Sequence, residues 1–145
     1  RAFLVRVPGT DSYRGADSTP DGQPEPGMVL YRFDGPVFFA SAEVLRADVT
    51  DAVVEAKAPV RWVVLDMEAV AVVDSSATQM LAELSQDLAE RGVTLAFARL
   101  KAPVAAYLTR AGIGAPAGSV PVFLEVDDAV AAFRAVESDR PSAGR

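Results

Sequence analysis

The stretch VRWVVLDM, residues 60–67, constrains this chain more than any other. It is apolar almost without interruption, and it lies between two segments whose apolar residues recur every three to four positions. Strand residues point alternately to opposite faces, so a run of this kind belongs to a strand covered on both faces. The flanking segments supply helices to cover it. Before the run, Ala42, Leu45, Val49, Ala52, Val53 and Ala56 fall on one side of a helix, and Glu43, Arg46, Asp48, Asp51 and Glu55 on the other. That helix is expected from Ser41 and must stop before Pro59. After the run, Ala77, Met80, Leu81, Leu84 and Leu88 line one face of a second helix, which closes on Arg91 and Gly92.

The remaining segments extend this alternation. AFLVRV (2–7) and MVLYRF (28–33) read as strands, and PVFFA (36–40) as a short third one. VTLAFA (93–98) is a further strand, APVAAYLTRAG (102–112) a helix with Pro103 in its first turn, and VPVFL (120–124) a last short strand. Asp127 is placed to cap a final helix whose buried stripe is Val126, Val130 and Phe133. Residues 8–27 are rich in Pro, Gly, Asp and Ser and read as a long flexible loop, and the polar end 137–145 as a disordered tail. Strands that alternate with helices make an α/β domain, with residues 2–136 as its extent. The two strands flanking the long loop are expected to pair antiparallel, which makes the sheet mixed.

Composition removes whole classes of chemistry. There is no cysteine and no histidine in the 145 residues, so thiolate nucleophiles, Ser-His-Asp triads and histidine metal ligands are excluded. The net charge of −6 argues against nucleic acid as a partner and against docking on an anionic bilayer. The most apolar region is broken by Asp66 and Glu68 well short of a membrane span. No signal peptide precedes the first strand, and the start at Arg1 rather than Met suits a piece of a longer protein. No phosphate-binding glycine motif and no calcium-loop spacing is present.

Two sites carry possible chemistry. Asp66 ends the buried strand, Glu68 follows two residues on, and EVDD (125–128) offers a second acidic pair. That pattern suits a Mg²⁺-dependent phosphatase with Asp66 as nucleophile, but the supporting lysine has no strand-end home, since Lys57 and Lys101 both adjoin helix ends. The other site is Asp74-Ser75-Ser76-Ala77-Thr78. Ser76 and Gln79 have capping-box spacing, with Ser76 as N-cap, a contribution of about 1 kcal/mol. A serine in the first turn of an exposed helix is equally a kinase target, and a helix N-terminus accepts an anion.

The run VVLDMEAVAVVDSSATQML, the helix ending in Arg-Gly, and LTRAG at 108–112 together resemble a STAS domain, the module shared by sulfate transporters and anti-sigma-factor antagonists. RVPGTDSYRGADS and MVLYRFDGPVFFASAEVLRADV are similar, more specifically, to the C-terminal cytoplasmic domain of bacterial SulP (SLC26-type) anion permeases. The resemblance implies a mixed sheet of about four to six strands with about four helices packed mainly on one side. It implies a non-catalytic regulatory domain on the cytoplasmic face of the membrane, partnered by its own transmembrane transport domain and by a cytosolic regulatory protein or kinase. It maps the phosphoacceptor onto Ser75, with Ser76 as neighbour and Asp74 as acidic lead. No cofactor is required; weak GTP or ATP binding is expected around Pro36, Val37, Phe38, Phe39, Ser41, Asp74, Ser75, Ser76 and Thr78, where no basic residue lies within 36–42 or 74–80. Ala77 stands where antagonists commonly carry glycine, which puts kinase docking in question. The alternatives are a free-standing antagonist-type phospho-switch and the Asp66 phosphatase.

Overall fold

The computed structural model describes residues 2–113 and 120–140. Six strands, β1 (Ala2–Arg6), β2 (Tyr13–Gly15), β3 (Met28–Arg32), β4 (Trp62–Asp66), β5 (Thr94–Ala98) and β6 (Val122–Phe123), form one sheet in the order β2-β1-β3-β4-β5-β6. β1 runs antiparallel to both β2 and β3, and β3 to β6 are mutually parallel. The expected mixed sheet, with the strands either side of residues 8–27 antiparallel, is therefore observed. Four helices complete the domain: α1 (Phe39–Glu55), α2 (Ser75–Glu90), α3 (Ala102–Arg110) and α4 (Val126–Ser138).

Residue parity divides the core in two. Val29 and Tyr31 of β3, Val63 and Leu65 of β4, and Leu95 and Phe97 of β5 face a cluster with Leu45, Val49, Leu81, Leu84, Leu88 and Leu108 of α1, α2 and α3. The alternate residues Met28, Leu30, Val64, Ala96 and Ala98 face Val126, Ala129, Val130 and Phe133 of α4. Three helices thus cover one face and α4 the other, and β4 is buried on both. Each of Val63, Val64 and Leu65 contributes about 1.5–3 kcal/mol through this burial. The alanines of β5 leave room for α4 to approach the sheet.

Five local expectations differ from the structure. PVFFA does not extend a strand: Val37 makes a single parallel bridge to Val73, and α1 starts at Phe39, two residues before Ser41. α4 begins one residue earlier than a cap at Asp127 requires; Glu125 is its N-cap, with no side-chain cap bond, and Asp127 and Asp128 lie in its first turn. The last strand covers only Val122–Phe123. Residues 137 and 138 end α4, while 141–145 of the expected tail lie outside the described residues.

The fifth difference is in residues 8–27, which hold β2 and a 3-10 turn at Ala16–Ser18. The segment is fastened to the domain. Arg6 and Gln23 exchange backbone hydrogen bonds of 2.9 Å in both directions. Glu25 is buried, accepts from Arg134 Nη2 at 2.5 Å and from the Tyr13 hydroxyl at 3.4 Å, and lies 3.5 Å from Arg6 Nε. Gly22 packs so closely on β1 that a Cβ there would meet Val5 Cγ2 at 2.1 Å. Turn-rich composition reports poor helix and strand propensity, but not these distant ion pairs.

Burial, followed by the Glu25 charge, pushes the Tyr13 phenol up to about 12. In the unfolded chain a tyrosine ionises near 10, so the folded protein retains the extra proton between these values. This stabilisation is complete below pH 10 and is lost as pH rises towards 12. Urea unfolding across that interval should show a steeper decline for the parent than for Tyr13→Phe; equal slopes would exclude Tyr13 as the source.

Candidate functional site

The two segments singled out in the sequence, around residues 36–41 and 74–78, meet at the carboxyl end of the parallel strands. Val37 N–H donates to Val72 O at 3.0 Å, and Asp74 N–H donates to Val37 O at 3.3 Å. In the Val37–Val73 bridge both named side chains point into the core. Strand alternation then turns Pro36, Phe38, Val72 and Asp74 outward on the same side. Phe38 is 48% exposed and Val72 50%. The starts of α1 and α2 are thereby tied together by backbone.

Asp74, not Ser76, caps α2. Its backbone is extended, and its Oδ1 accepts from Ala77 N–H at 2.8 Å, so Ser75 and Ser76 are the first two helical residues. The reason is tertiary: Val73 is anchored by its bridge and Ala77 and Thr78 are buried, which starts the helix two residues earlier than a cap at Ser76 would. Gln79 consequently closes no capping box and reaches Glu83 Oε1 at 3.5 Å instead. Ala77 sits inside the helix, where alanine is favoured, and needs no positive φ.

The remaining candidates divide by exposure. Ser75 and Ser76 are exposed, as are Pro36 and Phe38. The Ser75 and Ser76 N–H groups at the head of α2 are beyond the reach of any intrahelical carbonyl. Val37 and Thr78 are buried, and the Thr78 hydroxyl donates to Ser75 O at 2.8 Å. Ser41 Oγ accepts from Phe38 N–H at 3.0 Å and so steadies the first turn of α1, which Phe39 opens. Beside this turn runs a groove of about 410 Å³ lined by Phe33, Asp34, Gly35, Pro36, Ala40, Ser41 and Val44. Among the described residues none that lines it is basic.

Asp66 lies on the α4 side of the sheet, since it shares parity with Trp62 and Val64. It is 1% exposed. Its two oxygens accept from Arg99, Nε to Oδ1 at 3.0 Å and Nη2 to Oδ2 at 2.6 Å. Bonding to Asp66 raises the Arg99 guanidinium above its already high ordinary value. Arg99 holds this position with φ at 55°, the left-handed conformation that a non-glycine residue seldom adopts. Glu125 and Asp127 do reach the same polar recess, about 220 Å³ in volume, but Arg99 stands there with them. Both Asp66 oxygens are thus engaged by Arg99, and Glu68 N–H also donates to Oδ1 at 3.2 Å. Among the described residues no group of three or more carboxylates is arranged to hold a metal ion. Sequence reasoning missed Arg99; its only trace is an arginine directly after strand VTLAFA, next to a strand that ends in aspartate.

Two mutational tests follow from these contacts. Asp74→Ala should cost about 1 kcal/mol in denaturant unfolding and Ser76→Ala under about 0.5, the reverse of what a Ser76 cap would give. Arg99→Gln strands a buried carboxylate and should cost about 3 kcal/mol. Asp66→Asn, which leaves a partly solvated guanidinium, should cost less, and the opposite ranking would show that the pair is not stabilised in this way.

The STAS domain family matches residues 20–129 of this chain. A probable sulfate transporter of Mycobacterium tuberculosis strain H37Rv is 34% identical over 133 residues, which is 92% of this chain and 24% of the transporter. The chain therefore spans about a quarter of that relative's length. The murine anion transporter Slc26a9 in its inward-facing state superposes with a TM-score of 0.81 and 25% identity, over 92% of this chain and 22% of that one. The STAS domain of a SulP transporter from Vibrio cholerae superposes with a TM-score of 0.64 at 23% identity, over 84% of this chain and 94% of that one, and so shares the fold. Among the described residues no helix is long and apolar enough to cross a membrane. With a six-stranded mixed sheet, helices on both faces and an Asp-Ser-Ser turn at the head of α2, this chain belongs to the STAS domain family.

Proposed function

We propose that this chain is the non-catalytic regulatory domain of a sulfate or other anion transporter, held at the cytoplasmic face of the membrane beside its own transmembrane transport domain. The observation that carries the reading is the exposed Ser75, first residue of α2, beside the outward pair Phe38 and Val72. A phosphate on Ser75 would meet the free N–H groups and positive end of α2. It would also crowd the Asp74 carboxylate that now caps Ala77. Because Asp74 N–H is bonded to Val37 O, a change in the cap is transmitted to the segment that presents Phe38. The occupant of this surface is then a cytosolic regulatory protein or the transport domain, with a serine kinase acting on Ser75.

Weak nucleotide binding is compatible with the groove beside Pro36 and Ser41, but acidic and apolar walls without a cation disfavour a triphosphate. A free-standing phospho-switch would use the same turn; the transporter relatives favour the regulatory domain of a permease. The bidentate hold of Arg99 on Asp66 speaks against the phosphatase reading.

In a permease that carries this domain, sulfate uptake should differ between Ser75→Glu and Ser75→Ala at equal membrane levels. Incubation with a serine kinase should place phosphate on Ser75 rather than Ser76. Identical uptake by the two variants, with no label at Ser75, would remove this residue from regulation.

A further inference from the structure

A cleft of about 430 Å³ opens at the other end of the sheet, where β3 and β4 begin. Pro26, Pro59 and Phe133 form its apolar walls, and Arg61 and Arg134 face it with charge. Two carboxylates also line the cleft, and each is already engaged. Glu25 accepts from Arg134 at 2.5 Å and lies 3.5 Å from Arg6, and Glu137 pairs with Arg140 at 3.5 Å. The Arg61 guanidinium has no ion pair and no hydrogen bond among the described residues. The lining itself carries two arginines and two glutamates, and Arg6 and Arg140 pair with those glutamates from outside it.

The backbone of Arg61 is anchored at the edge of the cleft. Its N–H donates to Gly27 O at 2.7 Å, and its carbonyl accepts from Thr94 N–H at 2.8 Å. Phe133 is equally fixed, packed over Gly27 so tightly that a Cβ there would lie 2.9 Å from its ring. A guanidinium carried on this anchored backbone, with no bond of its own among the described residues and set beside apolar walls, has the features that recognise an oxyanion on an apolar body.

We propose that this cleft binds a small organic anion, a carboxylate or phosphate monoester on an aromatic or aliphatic group, with Arg61 holding the oxyanion and Pro26, Pro59 and the edge of Phe133 against the apolar part. This site is separate from the Asp-Ser-Ser turn and does not depend on the role assigned to that turn. Arg134 would report occupancy to residues 8–27, because it shares Glu25 with them.

The chain has one tryptophan, Trp62, whose ring lies 5.7 Å from that of Phe133, so its fluorescence is a direct readout. Phenyl phosphate and benzoate are the probes, with inorganic phosphate as comparison. At least one probe should give a saturable change in Trp62 emission, more tightly than inorganic phosphate does. Arg61→Gln should weaken that binding at least about tenfold with an unchanged melting temperature, as loss of a charge-assisted bond requires. Amide shifts in the parent chain should centre on Gly27, Arg61 and Arg134, a test that stands even if the variant fails to fold. Absence of saturation with both probes, undiminished binding by Arg61→Gln, or shifts confined to other regions would each overturn the proposal.

Discussion

Burial of β4 on both faces is the constraint on which the rest of the domain depends. A strand with one wet face would need polar residues at every second position; Trp62–Asp66 has none until its last residue. Val63 and Leu65 therefore require the helices α1 to α3, and Val64 requires α4 on the reverse side. Asp66 is the cost of that geometry, a carboxylate delivered into an apolar layer. Burying an unpaired charge is unfavourable by several kcal/mol, on the order of the whole stability of a small domain. Arg99 resolves it from the end of the adjacent strand, in a backbone conformation that is itself unfavourable. The carboxylate at the end of β4 is consequently held in a buried ion pair.

The two ends of the sheet have different characters for a related reason. At the carboxyl ends of the parallel strands, helices begin, and acidic residues gather where helix dipoles are positive: Asp74 at α2, and Asp127 and Asp128 at α4. There the backbone link between Val37 and Asp74 ties the entries of α1 and α2 and leaves Phe38, Val72 and Ser75 outward. At the amino ends, Arg61 and Arg134 lie beside β3, β4 and α4, and both glutamates of the cleft are paired with arginines. One end suits modification and apolar contact, the other an anion.

Some of the site was legible because its signals are local. The helical faces of α2 and α4 were readable from spacing: Ala77, Met80, Leu81, Leu84 and Leu88, and Val126, Val130 and Phe133, are all buried. What depends on partners distant in the chain was not. Ser76 with Gln79 has good capping spacing, yet the helix starts at Ser75 because a bridge from Val37 holds Val73 and Asp74 extended. PVFFA has strand composition, but with one bridge available it turns into α1 after a single paired residue. Residues 8–27 have loop composition, and their ordering depends on Glu25 meeting Arg134, 109 positions away.

The sequence by itself determined the layered α/β class, the places of the helices, the exclusion of histidine and cysteine chemistry, and the prominence of the Asp-Ser-Ser turn. These follow from periodicity and composition, which act over a few residues. Tertiary structure alone decided which residue caps α2, that Asp66 is paired with Arg99, that Pro36–Phe38 shares a surface with Val72–Ser75, and that Arg61 meets no carboxylate among the described residues. Each of those depends on strand register and on ion pairs between residues far apart in the chain, and such pairings are settled only when the whole sheet closes.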